Sequence, residues 1–475
     1  MASLALGACT HGDVPRQPII PASATPAQTN YELGLLDWRS GEFGAAIGSF
    51  SAAISNQPDY TDAYRSRGQL EQALGLNAAA KGDFDHLASL APRSAEAFLL
   101  RARAERAMEQ EAEALSDFDR ALEIDPSNVP ALLGRCRTRG ALGDWNGAGA
   151  DASLVLQRDP SSIDALVEIG IVRCHIPGGW RDGEAEFTRA IALDPLGLRP
   201  RLERAKARLK FGDKNGALKD FEYVLARTTE SSSDHCESLL GRAAIRWGGG
   251  DRSMVIADIA ELVLRAPMPT LRFLSGGENP FEGGERREVL AWLADKGPTS
   301  AEWFDNLGCI QIGLGYPADA RASLRRASEL DPGIASAVFY FWVLDAQDSG
   351  GGVAAAARLK SRLESAAGPK LTPAQAAAAR LLCGEADESG FFREISGLAG
   401  SPEEQAALLP QACFYAGMKR LAEGDPEGAR SRLREAVWSG PENSVERNLA
   451  RLELKALANF PAAAGETRTA SEGAR

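Results

Sequence analysis

The sequence predicts an all-α fold in which antiparallel helix pairs stack into a superhelical solenoid of about 12 units. Three observations predict it. Small residues recur with a spacing of 34, a glycine followed by a carboxylate marks the middle of several units, and a proline closes them. A unit of that length holds one helix hairpin, which cannot bury its apolar face alone and must stack on its neighbours.

The first small position holds Gly34, Gly68, Ala102 and Cys136, and the second holds Ala46, Ala80, Ala114 and Ala148. A third holds Phe50, Phe84, Phe118 and Ala152, and these units close at Pro58, Pro92, Pro126 and Pro160. Small residues let two helix backbones approach, and a large one fills the gap between neighbouring pairs. The hairpin turn is legible in Gly41-Glu42, Gly143-Asp144, Gly212-Asp213, Gly250-Asp251 and Gly424-Asp425. Glycine takes the left-handed conformation that ends the first helix, and the carboxylate beside it caps the second. Asp-Pro stops several units, at Asp125-Pro126, Asp159-Pro160, Asp194-Pro195 and Asp331-Pro332, because the residue before proline is pushed out of helical geometry. The pattern resembles the tetratricopeptide repeat. That resemblance implies a right-handed superhelix whose first helices line a concave wall, and a role in holding another protein.

In chain order, residues 1–26 read as a Pro/Ala/Ser/Thr-rich tether and residues 27–268 as seven units, the later ones opening near Ile163, Leu198 and Cys236. Residues 269–300 are irregular: Gly276-Gly277 and Gly283-Gly284 bracket Asn279-Pro280-Phe281, and one amphipathic helix follows over Glu285–Asp295. Residues 301–443 hold two regular units, opening at Ala301 and Pro410, and two degenerate ones at 335–368 and 371–404, with Gly350-Gly351-Gly352 in a turn. Residues 444–460 read as a capping helix that seals the last apolar surface with Leu449, Leu452 and Leu457 and keeps Arg447, Arg451 and Lys455 on a polar face. A disordered tail is expected over 461–475.

Composition limits the function. The chain has 475 residues, 25% of them charged, and a formal net charge of -12, which repels a phosphate backbone and argues against nucleic-acid binding. No stretch reaches the roughly 18–20 apolar residues needed to cross a bilayer. The seven cysteines form no CxxC or other metal-ligand spacing, and the adjacent pair Cys174-His175 reads as incidental, since nucleophile and base meet through folding. The glycines at 276–284 lack the GK[ST] ending of a phosphate loop, and no GxSxG or HExxH occurs in usable context. No catalytic residue, cofactor or metal is assigned, and a cryptic enzymatic site in 269–300 is the remote alternative.

In the resembled family, positions 2, 5, 9, 12 and 13 of each unit face the groove, a spacing that also puts them on one helix face. Carried onto this chain, the resemblance implies groove side chains Tyr31, Trp38, Arg65, Gln69, Leu99, Arg103, Arg106, Leu133, Arg137, Lys206 and Lys210, with Leu35 and Arg199 beside them. Seven bases in this set face only three acids, Asp62, Glu96 and Asp164. That local reversal of the chain's charge points to an acidic peptide or a free C-terminal carboxylate as ligand, because arginine pairs with carboxylates in bidentate fashion.

Leu6-Gly7-Ala8-Cys9 resembles a bacterial lipobox. The resemblance implies lipid on Cys9 and a scaffold held at the periplasmic face of a bacterial membrane, in the cell envelope. A cytoplasmic adaptor or co-chaperone is the alternative, and six further cysteines without evident partners fit its reducing surroundings.

Overall fold

The structure is a computed structural model that describes residues 24–229, 232–265, 285–347, 351–364, 369–400, 402–439 and 445–458, with residues 270, 274 and 281. Cys9 and the leader, the glycine-rich loop at 276–280 and the tail at 461–475 lie outside the described residues. The described residues form 24 α-helices and no strand.

Seven hairpins come first: α1 (Pro26–Ser40) with α2 (Phe43–Asn56), α3 (Thr61–Ala73) with α4 (Asn77–Leu90), α5 (Ala95–Ala107) with α6 (Glu111–Ile124), and α7 (Val129–Ala141) with α8 (Trp145–Arg158). They continue as α9 (Ile163–His175) with α10 (Trp180–Leu193), α11 (Arg199–Lys210) with α12 (Lys214–Leu225), and α13 (Ser233–Gly248) with α14 (Arg252–Arg265). A single helix follows, α15 (Glu285–Lys296). Four more hairpins are α16 (Ala301–Gly313) with α17 (Pro317–Leu330), α18 (Ala335–Gln347) with α19 (Gly351–Leu363), α20 (Pro373–Leu382) with α21 (Glu388–Leu398), and α22 (Pro402–Ala422) with α23 (Pro426–Trp438). The last helix is α24 (Val445–Ala458).

The repeated residues explain the hairpins. Gly41, Gly143, Gly212, Gly250 and Gly424 all have positive φ, between 80° and 93°, where a Cβ would be strained. Asp144, Asp213 and Asp425 then accept hydrogen bonds at 2.9 Å from the backbone N–H of Gly147, Gly216 and Gly428, capping the second helices. Ser94, Asn128 and Ser162, spaced like the repeat, cap first helices in the same way. Phe50, Phe84, Phe118, Phe187 and Phe221 are fully buried between pairs, and a Cβ at Gly68 would lie 2.7 Å from the Phe84 ring. The small residue is therefore required by the aromatic one.

Pro410 departs from its expected place. It lies inside α22, which starts at Pro402, and does not open a unit. Proline suits a helix start, but in the interior it forfeits a single N–H, and the Ala- and Leu-rich segment before it carries the helix on. Gly351 and Gly352 likewise belong to the first turn of α19 and not to a turn between helices.

The capping helix also differs. Leu449 and Ala450 of α24 are buried against the end of the array, yet Arg447 and Asn448 are buried too, each 6% exposed. The polar face expected in water meets the third hairpin: Arg447 Nη2 donates to the Ala107 carbonyl at 2.9 Å, and Arg451 pairs with Glu109 at 2.9 Å. Helix α22 also touches α2. The two ends of the array are in contact.

Candidate functional site: the inner wall and its junction with the terminal helix

The first helices carry the expected groove residues, and the structure sorts them into three groups. Tyr31, Leu35 and Trp38 pack around Phe50, with Tyr31 5.8 Å and Trp38 6.3 Å from its ring, and Tyr31 is also 5.2 Å from Tyr60. They fill the joint between the first two hairpins and are only half-buried. Leu99 and Leu133 are buried in one apolar cluster with Phe118, which leaves little of either to touch a ligand. Gln69 is half-buried.

The bases form the second group, and most already hold a partner. Arg65 pairs with Asp62 at 2.6 Å and with Glu96 of the next hairpin at 3.4 Å. Arg137 and Arg199 both bind Glu168 at 2.6 Å. Lys206 bridges Glu203 at 2.8 Å and Glu237 at 3.3 Å, and Arg106 lies 3.6 Å from Glu111. The excess of bases counted on family positions is therefore offset by Glu168, Glu203 and Glu111, which fall outside those positions, and by Glu237, which holds position 2 of the seventh unit, beyond the units counted. The signal that could have found three of these contacts is an offset of 31: Arg65 to Glu96, Arg137 to Glu168 and Lys206 to Glu237. That offset joins a first helix to the next one along the wall.

Arg103 and Lys210 form the third group. Arg103 is exposed and has no carboxylate within ion-pairing distance among the described residues. Burial of its surroundings, and then the Arg137 guanidinium, lower its pKa from the ordinary value. Lys210 is exposed, with its ammonium 5.9 Å from the Phe211 ring.

A second set of arginines, absent from the sequence reading, fixes the geometry of the wall. Arg67, Arg101, Arg135, Arg204 and Arg242 each bind an aspartate 16 residues on, Asp83, Asp117, Asp151, Asp220 and Asp258, with two guanidinium nitrogens apiece. All five aspartates are buried. Arg101 and Arg135 also reach back to Asp85 and Asp119 of the preceding hairpin, at 3.1 and 2.6 Å. The Asp117 hydrogen bond, the largest cause, pushes the Arg101 pKa up, and Asp83 does the same to Arg67. Each arginine thus ties its own two helices together and, at Arg101 and Arg135, ties hairpin to hairpin.

At the junction with α24 the wall opens into a cavity of about 550 Å³ lined by Arg103, Arg106, Glu109, Glu111, Arg447 and Arg451.

The chemistry of the remaining reactive groups is muted by burial. Desolvation pushes the Cys136 thiol up to about 12 and those of Cys174 and Cys236 to about 11, so each is held as the thiol and not the nucleophilic thiolate. His175 stacks on Trp145 at 3.9 Å, and its Nδ1 lies 2.9 Å from the Ile171 carbonyl, which occupies the ring nitrogen in packing. Among the described residues no three His, Cys, Asp or Glu side chains group as metal ligands, and no helix is long and apolar enough to cross a membrane.

Solved structures similar to this chain include PilW, titled a widely conserved type IV pilus biogenesis factor, at 21% identity and TM-score 0.38, over 43% of this chain and 94% of that one. A tetratricopeptide repeat protein from Parabacteroides merdae matches at 15% identity and TM-score 0.33, over 65% of this chain and 94% of that one. YrrB, titled a TPR protein with an unusual peptide-binding site, matches at 16% identity and TM-score 0.32, over 41% and 97%. No curated protein matches the chain. Tetratricopeptide-repeat family models match residues 31–80, 95–128 and 304–334, so the chain contains repeats of that family, whose members are generally protein-interaction scaffolds.

Proposed function

We propose that the chain is a non-catalytic scaffold that holds an acidic segment of a partner protein against the inner wall of its first helices. The observation that carries this reading is Arg103, a base on that wall with no acid partner among the described residues, beside an array of paired bases that leaves it the local site of unmatched charge. A carboxylate placed there gains a charge-assisted hydrogen bond and displaces no existing ion pair. Arg137 is a poorer anchor, since Glu168 already binds it.

The reading is tested by affinity capture from the native host with the Arg103→Glu variant beside the unaltered chain. Loss of an otherwise specific partner supports it. Identical capture by both proteins refutes the assignment of the wall.

The position of the scaffold in the cell is a second part of the proposal and rests on Leu6-Gly7-Ala8-Cys9. Lipid on Cys9 would hold the array at the periplasmic face of a bacterial membrane, in the cell envelope. Labelling cells with a fatty-acid analogue checks this: incorporation that disappears in Cys9→Ala supports the anchor. Absence of label in the native gene product leaves the cytoplasmic adaptor, which the six free cysteines favour.

A further inference from the structure

Helix α24 has two faces that belong to different parts of the array. Leu449 and Ala450 are buried in an apolar core shared with α16, α22 and α23, which holds that face. The other face reaches the third hairpin, where Arg447 Nη2 donates to the Ala107 carbonyl at 2.9 Å and Arg451 pairs with Glu109 at 2.9 Å. Ala107 ends α5, and a guanidinium suits a helix C-terminus, whose last carbonyls lack helical partners and carry partial negative charge.

Two features mark this contact as one that opens. Of the eight residues lining the cavity beside it, Ala107 alone is apolar, and polar contacts between parts of one chain make and break in solution. The Arg451–Glu109 pair is also partly exposed, at 31% and 41%, so salt weakens it. The backbone shows that the pair is nevertheless specified. The turns between paired helices take positive φ at glycine in nine places, whereas the third hairpin takes it at Glu109, with φ 61°. A side chain is thus held on strained backbone where glycine would be free, and what it supplies is a carboxylate for Arg451.

The contact lies where a partner needs access. Arg103 and Arg106 of the wall line the same cavity as Arg447 and Arg451 of α24. Water reaches Arg103 there, but a polypeptide laid along the first helices meets α24 beside α5. We propose that α24 is an autoinhibitory clasp: seated on the turn of the third hairpin it limits access to Arg103, and its release opens the wall to the partner's acidic segment. The inference rests on the partner-binding reading and adds its regulation. Partner and clasp compete, so the partner's apparent affinity is the intrinsic one reduced by the fraction of chains whose clasp is open.

The experiment reads the clasp in the full chain with no partner present. The probe is p-hydroxyphenylglyoxal, an arginine reagent, with modification at Arg103 followed by peptide mass mapping and amide exchange measured over 445–458. In Arg451→Ala, which removes the pair with Glu109, Arg103 is expected to react several-fold faster and exchange over 445–458 to speed up several-fold. Arg93, exposed and outside the cavity, should react at an unchanged rate, and exchange over 426–438 should stay as it was, which shows that the fold is intact. Arg451→Lys keeps the charge and should restore most of the protection. Raising salt from about 0.1 M to about 1 M shortens the screening length from about 10 Å to about 3 Å, and should speed both readouts in the unaltered chain more than in Arg451→Ala. Equal reactivity of Arg103 in Arg451→Ala and the unaltered chain overturns the proposal. Faster reaction with unchanged exchange over 445–458 overturns it too, since α24 would not have moved. A clasp that fails these measurements leaves capture by Arg103→Glu to judge the partner-binding reading alone, so the two fail separately.

Discussion

Glu109 Oε1 lies 2.9 Å from Arg451 Nε, and Glu109 is the single non-glycine residue with positive φ among the described residues. Two terms of opposite sign meet in this residue. The left-handed backbone disfavours it by about 1–2 kcal/mol, while its half-exposed ion pair contributes about 0.2–1 kcal/mol and joins residues far apart in the sequence. Glu109→Gly removes both. The α5–α6 hairpin is expected to keep or gain thermal stability, while amide exchange over 445–458 speeds up several-fold. Loss of thermal stability, or unchanged amide exchange over 445–458, would contradict this division of roles.

The paired arginines and aspartates set a second expectation. Asp117 is 6% exposed and takes two hydrogen bonds from Arg101, at 2.5 and 2.7 Å. Removing one partner of a buried pair strands the other charge, so Asp117→Ala should cost about 3–5 kcal/mol in urea unfolding. Arg120 and Glu123 pair at 2.7 Å on an exposed helix face, and Arg120→Ala should cost less than about 0.5 kcal/mol. Similar losses in the two variants would show that the pair at Asp117 does not hold the hairpins together.

The repeat was legible because its landmarks obey backbone rules that act locally. Gly41, Gly143 and Gly424 end helices wherever they fall, and the Phe50, Phe84 and Phe118 series shares its period with the small residues it packs on. The arginine–aspartate series has the same period, with Arg67, Arg101 and Arg135 spaced as the glycines are, yet charged residues in a helix read as solvated until burial is known. The count of groove charges left out some partners for a related reason. Glu168 falls outside the family positions and Glu237 lies in a unit beyond those counted, yet each reaches its base from the next helix along the wall. Docking of α24 was invisible because Arg447 and Ala107 are 340 residues apart and no local pattern links them.

Glu71 gives a pH dependence whose sign can be stated. It is 8% exposed beside Asp83, and burial, reinforced by the Asp83 charge, pushes its carboxyl up to about 8. A carboxyl with a folded pKa above its unfolded value of about 4.5 favours the folded state most at low pH. Its contribution falls as pH rises from about 4.5 to about 8 and then levels off. Glu71→Gln removes that fall, so its stability advantage over the unaltered chain should grow by about 1–3 kcal/mol between pH 5 and pH 8.5. The same repeat position carries Arg139, Arg208 and Arg246, which bind Asp151, Asp220 and Asp258 at 2.8, 2.8 and 2.6 Å. Glu71→Arg should therefore stabilise the fold further at pH 8.5. A constant difference between Glu71→Gln and the unaltered chain across this range would refute the assignment.

Two glycines in neighbouring helices should respond in opposite directions. A Cβ at Gly68 would lie 2.7 Å from Phe84 Cε1, and Phe84 is fully buried, so the ring has no room to retreat. Gly68→Val forces the two helices of this hairpin apart and should destabilise by about 1–3 kcal/mol. Gly82 lies in the interior of α4 with nothing within 4 Å of its prospective Cβ and an exposed surface. Its effect is confined to backbone entropy, and Gly82→Ala should stabilise by about 0.5–1 kcal/mol. Thermal unfolding of the two single variants and of the double variant measures both. The sites lie on different faces of one hairpin and share no contact partner, so the two effects should add to within about 0.5 kcal/mol. Stabilisation by Gly68→Val would mean that the aromatic ring does not set the spacing between helices, and the account of why small residues recur would fail with it.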